Sequence, residues 1–127
     1  EFHTDGQGSL TRDPVDLQMQ WARLIFSYEL DWKQNDDRSQ TNRLIVEVSN
    51  NGFQNCMHET GTGCRIIEEY YDHPREGRNG STNLFRTEIF DVHDFDGQQE
   101  VQVRFRATGE EVKRVKIYDV HFAGWKL

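Results

Sequence analysis

Apolar and polar residues alternate with period two through most of this chain. From Leu24 to Leu30, every second residue (Leu24, Phe26, Tyr28, Leu30) is apolar, with Ile25, Ser27 and Glu29 between. In an extended strand that spacing places the two sets on opposite sides. A helix over Leu17–Leu30 competes, since Gln, Met, Ala and Leu favour helices. The β-branched and aromatic residues in register with the alternation favour a long strand over 17–32. Arg43–Ser49 repeats the pattern, with Leu44, Val46 and Val48 on one side and Ile45, Glu47 and Ser49 on the other. Further strands are expected over 65–71, 84–92, 100–108 and 112–122. In the 100–108 strand Val101, Val103 and Phe105 point inward, and Gln102, Arg104 and Arg106 outward.

Between these runs the chain carries turn chemistry. Residues 2–16 are rich in Gly, Asp, Thr and Ser and read as loop with one short edge strand. Polar loops cover 33–42 and 72–82, and Asn51-Gly52, His93–Gly97 and Gly109–Glu111 turn the chain. Six or seven strands without a sustained helical period predict an all-β fold, an antiparallel β-sandwich. Residues 1–16 form an N-terminal loop and edge segment of the same domain, and 17–127 form the sandwich.

Composition narrows the function classes. A chain of 127 residues suits one domain with one core. Only 35% of residues are hydrophobic, yet they are clustered, so a folded chain is expected rather than a disordered one. The net charge of −7 argues against nucleic acid and anionic membranes as partners, and is compatible with divalent cations and neutral glycans. The longest apolar stretch, Trp21–Phe26, is interrupted by Arg23 and falls far short of the ~20 residues of a membrane span. No signal peptide is visible and the chain opens at Glu1-Phe2, so an excised module of a larger protein is expected.

Cys56 and Cys64 flank a loop containing Gly61-Thr62-Gly63, which makes closure easy, and a disulfide is expected. Free buried thiols are the alternative. Zinc would need more ligands than two cysteines and His58. The sequon Asn79-Gly80-Ser81 and the disulfide both fit a secreted, extracellular setting.

Three segments, taken in order, carry a resemblance. They are Leu24–Leu30, then Leu44–Phe53 with its Ser49-x-x-Gly52 turn, then Val101–Arg106 followed by Val115–Phe122. Over roughly residues 20–125 this order resembles jelly-roll modules of the MAM, reelin-repeat and cleaved-adhesin type, and the jelly-roll carbohydrate-binding modules of bacterial glycoside hydrolases. The resemblance implies jelly-roll topology, a structural calcium, and a ligand-binding or adhesive role. The metal would sit near Asp119, in the near-terminal strand, with Asp5 from Thr4–Gly8 as partner. Strand parity puts Asp119 on the side of Val115 and Ile117, pointing inward. Pairing with Arg104, or exposure to water, is the alternative.

Sugar recognition needs an exposed ring for the C–H face of a sugar and polar groups for its hydroxyls. Trp32 opens a polar run containing Asn35, Asp36 and Asp37, and Tyr70-Tyr71 precedes His73 and Arg75. These eight residues are the expected glycan site. Adjacent Tyr70 and Tyr71 face opposite sides of a strand, so one is expected at the surface, while Trp21 and Trp125 are expected to pack in the core or at an edge. If the sheet face binds instead, Glu47, Arg86, Arg104 and Arg106 become the candidates. The acidic turn Asp91–Gly97 reads as a solvated turn capped by its own carboxylates, with a metal loop as the lesser alternative. No nucleophile elbow or phosphate loop appears. The expected function is a non-catalytic carbohydrate-binding module of a larger secreted protein, its partner a polysaccharide or glycan. The alternative is a protein–protein or cell-adhesion domain.

Overall fold

A computed structural model of the protein describes residues 8–31, 43–71, 84–108 and 114–126. Seven strands are found there: β1 (Gly8–Thr11), β2 (Met19–Asp31), β3 (Arg43–Ser49), β4 (Cys64–Tyr71), β5 (Leu84–Asp91), β6 (Gln102–Thr108) and β7 (Arg114–Lys126). A single 3₁₀ turn, His93–Phe95, lies between β5 and β6. The expected strands are all present, the helix reading of Leu17–Leu30 falls away, and β7 runs past Phe122 to pair Trp125 with Gln20 and Lys126 with Met19. No helix among the described residues is long and apolar enough to cross a membrane.

The strands form two antiparallel sheets, in the orders β1-β6-β3-β4 and β5-β2-β7. The pairings β3–β4, β2–β5 and β1–β6 nest like a long hairpin wound around the sandwich, which is jelly-roll connectivity. The core between the sheets is the alternating set read from the sequence: Leu24, Phe26, Tyr28, Leu44, Val46, Val48, Val101, Val103, Phe105, Val115 and Ile117 are all buried. Phe26 meets Phe105 edge-on across the layers at 5.0 Å. At the end of the sandwich where β2 and β4 finish, the Tyr28 and Tyr70 rings lie 4.7 Å apart.

β3 is buried on both sides. Its outer-side residues Ile45, Glu47 and Ser49 are as inaccessible as its core residues. A carboxylate there must be paired. Glu47 accepts from Arg104 Nε and Nη2, each at 3.1 Å, and from Arg106 Nε at 3.1 Å. Arg104 also lies over the Phe53 ring at 4.3 Å. Cys56 and Cys64 are disulfide-bonded. Ser49 Oγ accepts the backbone N–H groups of Asn51 and Phe53, fixing the turn that follows β3. Closing so short a loop contributes about 2.5 kcal/mol on the chain-entropy model.

The β2–β7 ladder contains two bulges, one in each strand. In β2, Trp21 and Ala22 stand opposite Gly124 alone, and Trp21 has φ 56°. Both carboxylate oxygens of Asp96 accept the freed N–H groups, from Trp21 at 2.8 Å and Ala22 at 2.9 Å. Glycine is required opposite, because a Cβ at Gly124 would stand 2.7 Å from the Gln20 carbonyl oxygen. In β7 the register slips between His121 and Tyr118, with Asp119 at φ 53°. This slip overturns the parity argument for Asp119, which is exposed, while Val120 and Phe122 pack toward the core. Arg104 is engaged with Glu47 rather than Asp119.

Asp96→Ala removes the acceptor of two backbone donors. It should lower the unfolding free energy by about 2–4 kcal/mol, since hydrogen bonds to a charged group are worth about 1.5–3 kcal/mol each. Urea unfolding checks this, and a loss below ~0.5 kcal/mol would show that the bulge holds itself.

Candidate functional site

An edge strand normally turns its apolar residues to the core. β5 does the reverse over part of its length. Its register with β2 places Phe85, Thr87 and Ile89 beside Glu29, Ser27 and Ile25, on the outer side of the sheet. Arg86 and Glu88 stand beside Tyr28 and Phe26, on the core side. Charges facing inward on an edge strand deter edge-to-edge aggregation. Here they also commit two large apolar side chains to water, Phe85 at 62% and Ile89 at 57% exposed.

The rest of that outer face has the same character. Tyr118 on β7 approaches Phe85 across the sheet, with ring centroids 5.8 Å apart. At the other end Trp125 is 72% exposed and Trp21 61%. Trp21 owes its exposure to the bulge that Asp96 holds, and its ring is 5.5 Å from that of His93. A cleft of about 470 Å³ opens beside them, lined by Met19, Gln20, Trp21, His93, Asp96 and Gly97. From Phe85, paired at Glu29, to Trp125, paired at Gln20, the face extends roughly 25 Å at ~3.3 Å per residue.

Hydrogen-bonding groups lie between the rings. Ser27 and Thr87 hydroxyls share a bond of 2.9 Å. His121 donates from Nδ1 to the Asp119 carbonyl oxygen at 2.8 Å, which leaves Nε2 as the second polar atom of that ring. His93 Nδ1 lies 2.6 Å from Asp91 Oδ1, and the same oxygen accepts the His93 backbone N–H at 2.9 Å. Those two bonds hold the Asp91 carboxyl below the usual carboxylate range, and the Asp91 partner raises the imidazole above the ordinary histidine value. Among the described residues of the face both signs of charge are represented, Arg23 and Lys116 against Glu29 and Asp91, with His93 and Asp96 in the cleft, in a chain of net charge −7.

The residues expected from sequence fare differently. Trp32, Asn35, Asp36, Asp37, His73 and Arg75, with Asp5 and the sequon at Asn79, lie outside the described residues. Their described neighbours Asp31, Arg43, Tyr71 and Leu84 end strands at one end of the sandwich. Tyr70 does not serve as a surface platform, because its ring packs inward on Tyr28 and the core. Burial pushes the Tyr28 phenol up to about 12, and raises that of Tyr70 as well. Tyr71 is described only through its strand pairing with Arg43. Trp21 and Trp125, expected to pack, are with Phe85 the most exposed aromatic residues of the described chain.

The alternative sheet-face set is split by the fold. Glu47, Arg104 and Arg106 form one network on the four-stranded sheet, and Arg86 belongs to the other sheet. The Glu47 carboxylate and both cysteine sulfurs lie within 4.8 Å of one another. The sulfurs are joined to each other and Glu47 is taken by two guanidinium groups, so the trio has no ligand to spare. His58 lies 3.5 Å from Glu69 instead. The acidic turn is only partly the self-capped turn expected, because Asp94 and Asp96 reach partners outside it. Asp91 holds His93, Asp96 holds the bulge, and Asp94 accepts from Arg65 at 3.0 Å and from the Gly61 N–H at 2.9 Å. No family model, curated protein or solved structure matches this chain.

The Asp91–His93 pair gives a pH signature. Both groups are charged between the depressed pKa of Asp91 and the raised pKa of His93, so the pair is lost as pH rises through the His93 value. NMR titration of the His93 ring should give a midpoint above ~6.5, and Asp91→Asn should lower it. A midpoint unchanged by Asp91→Asn would remove the pair from the account.

Proposed function

We propose that this domain is a non-catalytic carbohydrate-binding module of a larger secreted protein, and that it holds an extended, uncharged glycan chain along the outer face of the β5-β2-β7 sheet. The observation that carries the reading is the inverted edge strand β5, which gives Phe85 and Ile89 to water while its charges face the sandwich. Exposed apolar patches of this kind mark interaction sites. Rings interleaved with hydroxyl, imidazole and guanidinium groups suit a ligand with apolar C–H faces and polar rims. Charge balance on the face favours a neutral polymer, and its length favours a chain over a single sugar. The disulfide fits an oxidising, non-cytosolic setting, which supports secretion.

A second reading, adhesion to a protein, is favoured by Ile25 and Ile89 at the centre of the face. Branched aliphatic side chains offer no flat surface to a sugar and suit the apolar centre of a protein interface. The structural calcium belongs to the proposal in one form, as an ion at the surface of the β7 bulge, because Asp119 points to solvent.

Retention on a panel of neutral and acidic polysaccharides, with calcium and with a chelator, tests the proposal. Specific retention on a neutral polymer is expected. Phe85→Ala and Trp125→Ala should each weaken it about tenfold, a loss of ~1.4 kcal/mol, and Trp32→Ala should leave it unchanged. Loss in Trp32→Ala with retention in the two face variants would return the site to the loop expected from sequence. A folded domain that binds no polysaccharide would leave the adhesion reading. Calcium should raise the melting temperature of the native domain but not of Asp119→Asn, and an equal response would remove the metal from Asp119.

A further inference from the structure

The sandwich is open along one side. β7 is the edge of its sheet, and β1, only four residues long, is the edge of the other. Between them lies a cavity of about 690 Å³, within the size range of small-molecule pockets. Leu17 and Val103, both fully buried, form its floor. Its walls are Leu10, Met19, Val120 and Phe122, which pack against the core yet remain only partly buried. The apolar core therefore reaches solvent here. The β7 bulge contributes directly: the left-handed backbone at Asp119 turns the carboxylate out and leaves Val120 and Phe122 facing the cavity. A non-glycine residue held in that region is strained, and such strain collects at ligand sites.

The rim is polar and more acidic than basic. Among the described lining residues, Asp13 and Asp16 stand against Arg12, with His121 beside them. Among the described residues Asp13 makes no ion pair, and the Asp16 carboxylate accepts only the Glu100 N–H, at 3.3 Å. His121 donates its Nδ1 proton to the Asp119 carbonyl, leaving Nε2 as the second polar atom of the ring. The mouth thus presents acceptors and net negative charge above an apolar floor.

We propose that this cleft binds a small amphiphile with an apolar chain and a protonated amine head. The chain lies against Leu10, Val120 and Phe122, and the ammonium sits at the Asp13 and Asp16 carboxylates. The cleft shares Met19 and His121 with the surface proposed for glycan, while its floor and its carboxylates are its own, and neither reading depends on the other.

Titration of the domain with decylammonium, decanol and decanoate below their aggregation concentrations, followed by ¹H–¹⁵N NMR, tests it. Decylammonium should give saturable shifts at Leu10, Val120 and Phe122, and decanoate should bind most weakly. Asp13→Asn should weaken the amine about threefold, as for one exposed charge pair, and leave decanol unchanged. Val120→Trp and, as a second cavity-filling variant, Leu10→Trp should abolish the shifts while the remaining spectrum stays native. Absence of saturable shifts with every probe would overturn the site, as would shifts that persist in both folded cavity-filling variants. Binding of decanoate as tight as that of decylammonium would overturn the amine assignment.

Discussion

The pairing of β2 with β7, interrupted by a bulge in each strand, is the constraint on which the surface of this domain depends. In a strand the side of every side chain follows from parity, and one extra residue reverses parity for everything beyond it. The β2 bulge is held by Asp96, which receives two backbone N–H groups, and it is made possible by Gly124 opposite. It carries Trp21 out over His93 without displacing Ala22 or Leu24 from the core. The β7 bulge sends Asp119 to solvent and Val120 and Phe122 toward the core. The exposure of Trp21 and the apolar wall of the open cleft both follow from these two interruptions, while Phe85 and Ile89 are turned outward by the pairing of β5 with β2.

The two sheets treat their outer sides in opposite ways. The four-stranded sheet buries the outer side of β3. Glu47 is enclosed by Arg104 and Arg106, and the chain that follows β3 is tied back through Ser49 and the disulfide. A buried carboxylate with three guanidinium N–H bonds is costly to uncover, because breaking the set would strand a charge. Among the described residues the three-stranded sheet shows no comparable network, and it leaves Trp21, Trp125, Phe85, Thr87 and Ile89 in water. That asymmetry is what supports the proposal of the three-stranded sheet as the recognition surface.

Much of the fold was legible because it rests on period-two alternation. Leu24, Phe26 and Tyr28, Leu44, Val46 and Val48, and Val103 with Phe105 declare their side without reference to any partner. The disulfide was legible too, from the short glycine-containing loop between Cys56 and Cys64. Exposure on the other side was not. Ile45 and Glu47 alternate as outward residues should, yet both are buried, Glu47 beneath Arg104 and Arg106 from β6. Trp21 and Trp125 look like packing residues until a bulge is known, and a bulge depends on an aspartate 75 positions away. Phe85 and Ile89 could have been noticed, since Arg86 and Glu88 between them leave β5 without a purely apolar side. Which side faces water is settled only by its pairing with β2.

The central claim is that the outer face of β5-β2-β7 is the binding surface. The most direct test is to map, by ¹H–¹⁵N and side-chain NMR, which resonances move when an oligosaccharide of the retained polymer is added. Shifts should concentrate on Arg23, Ile25, Ser27, Thr87, Tyr118 and His121, with the Trp21 and Trp125 indole N–H groups among the largest. Shifts confined to Asp31, Arg43, Tyr71 and Leu84, or to the neighbourhood of Glu47, with the two indoles unmoved, would contradict it.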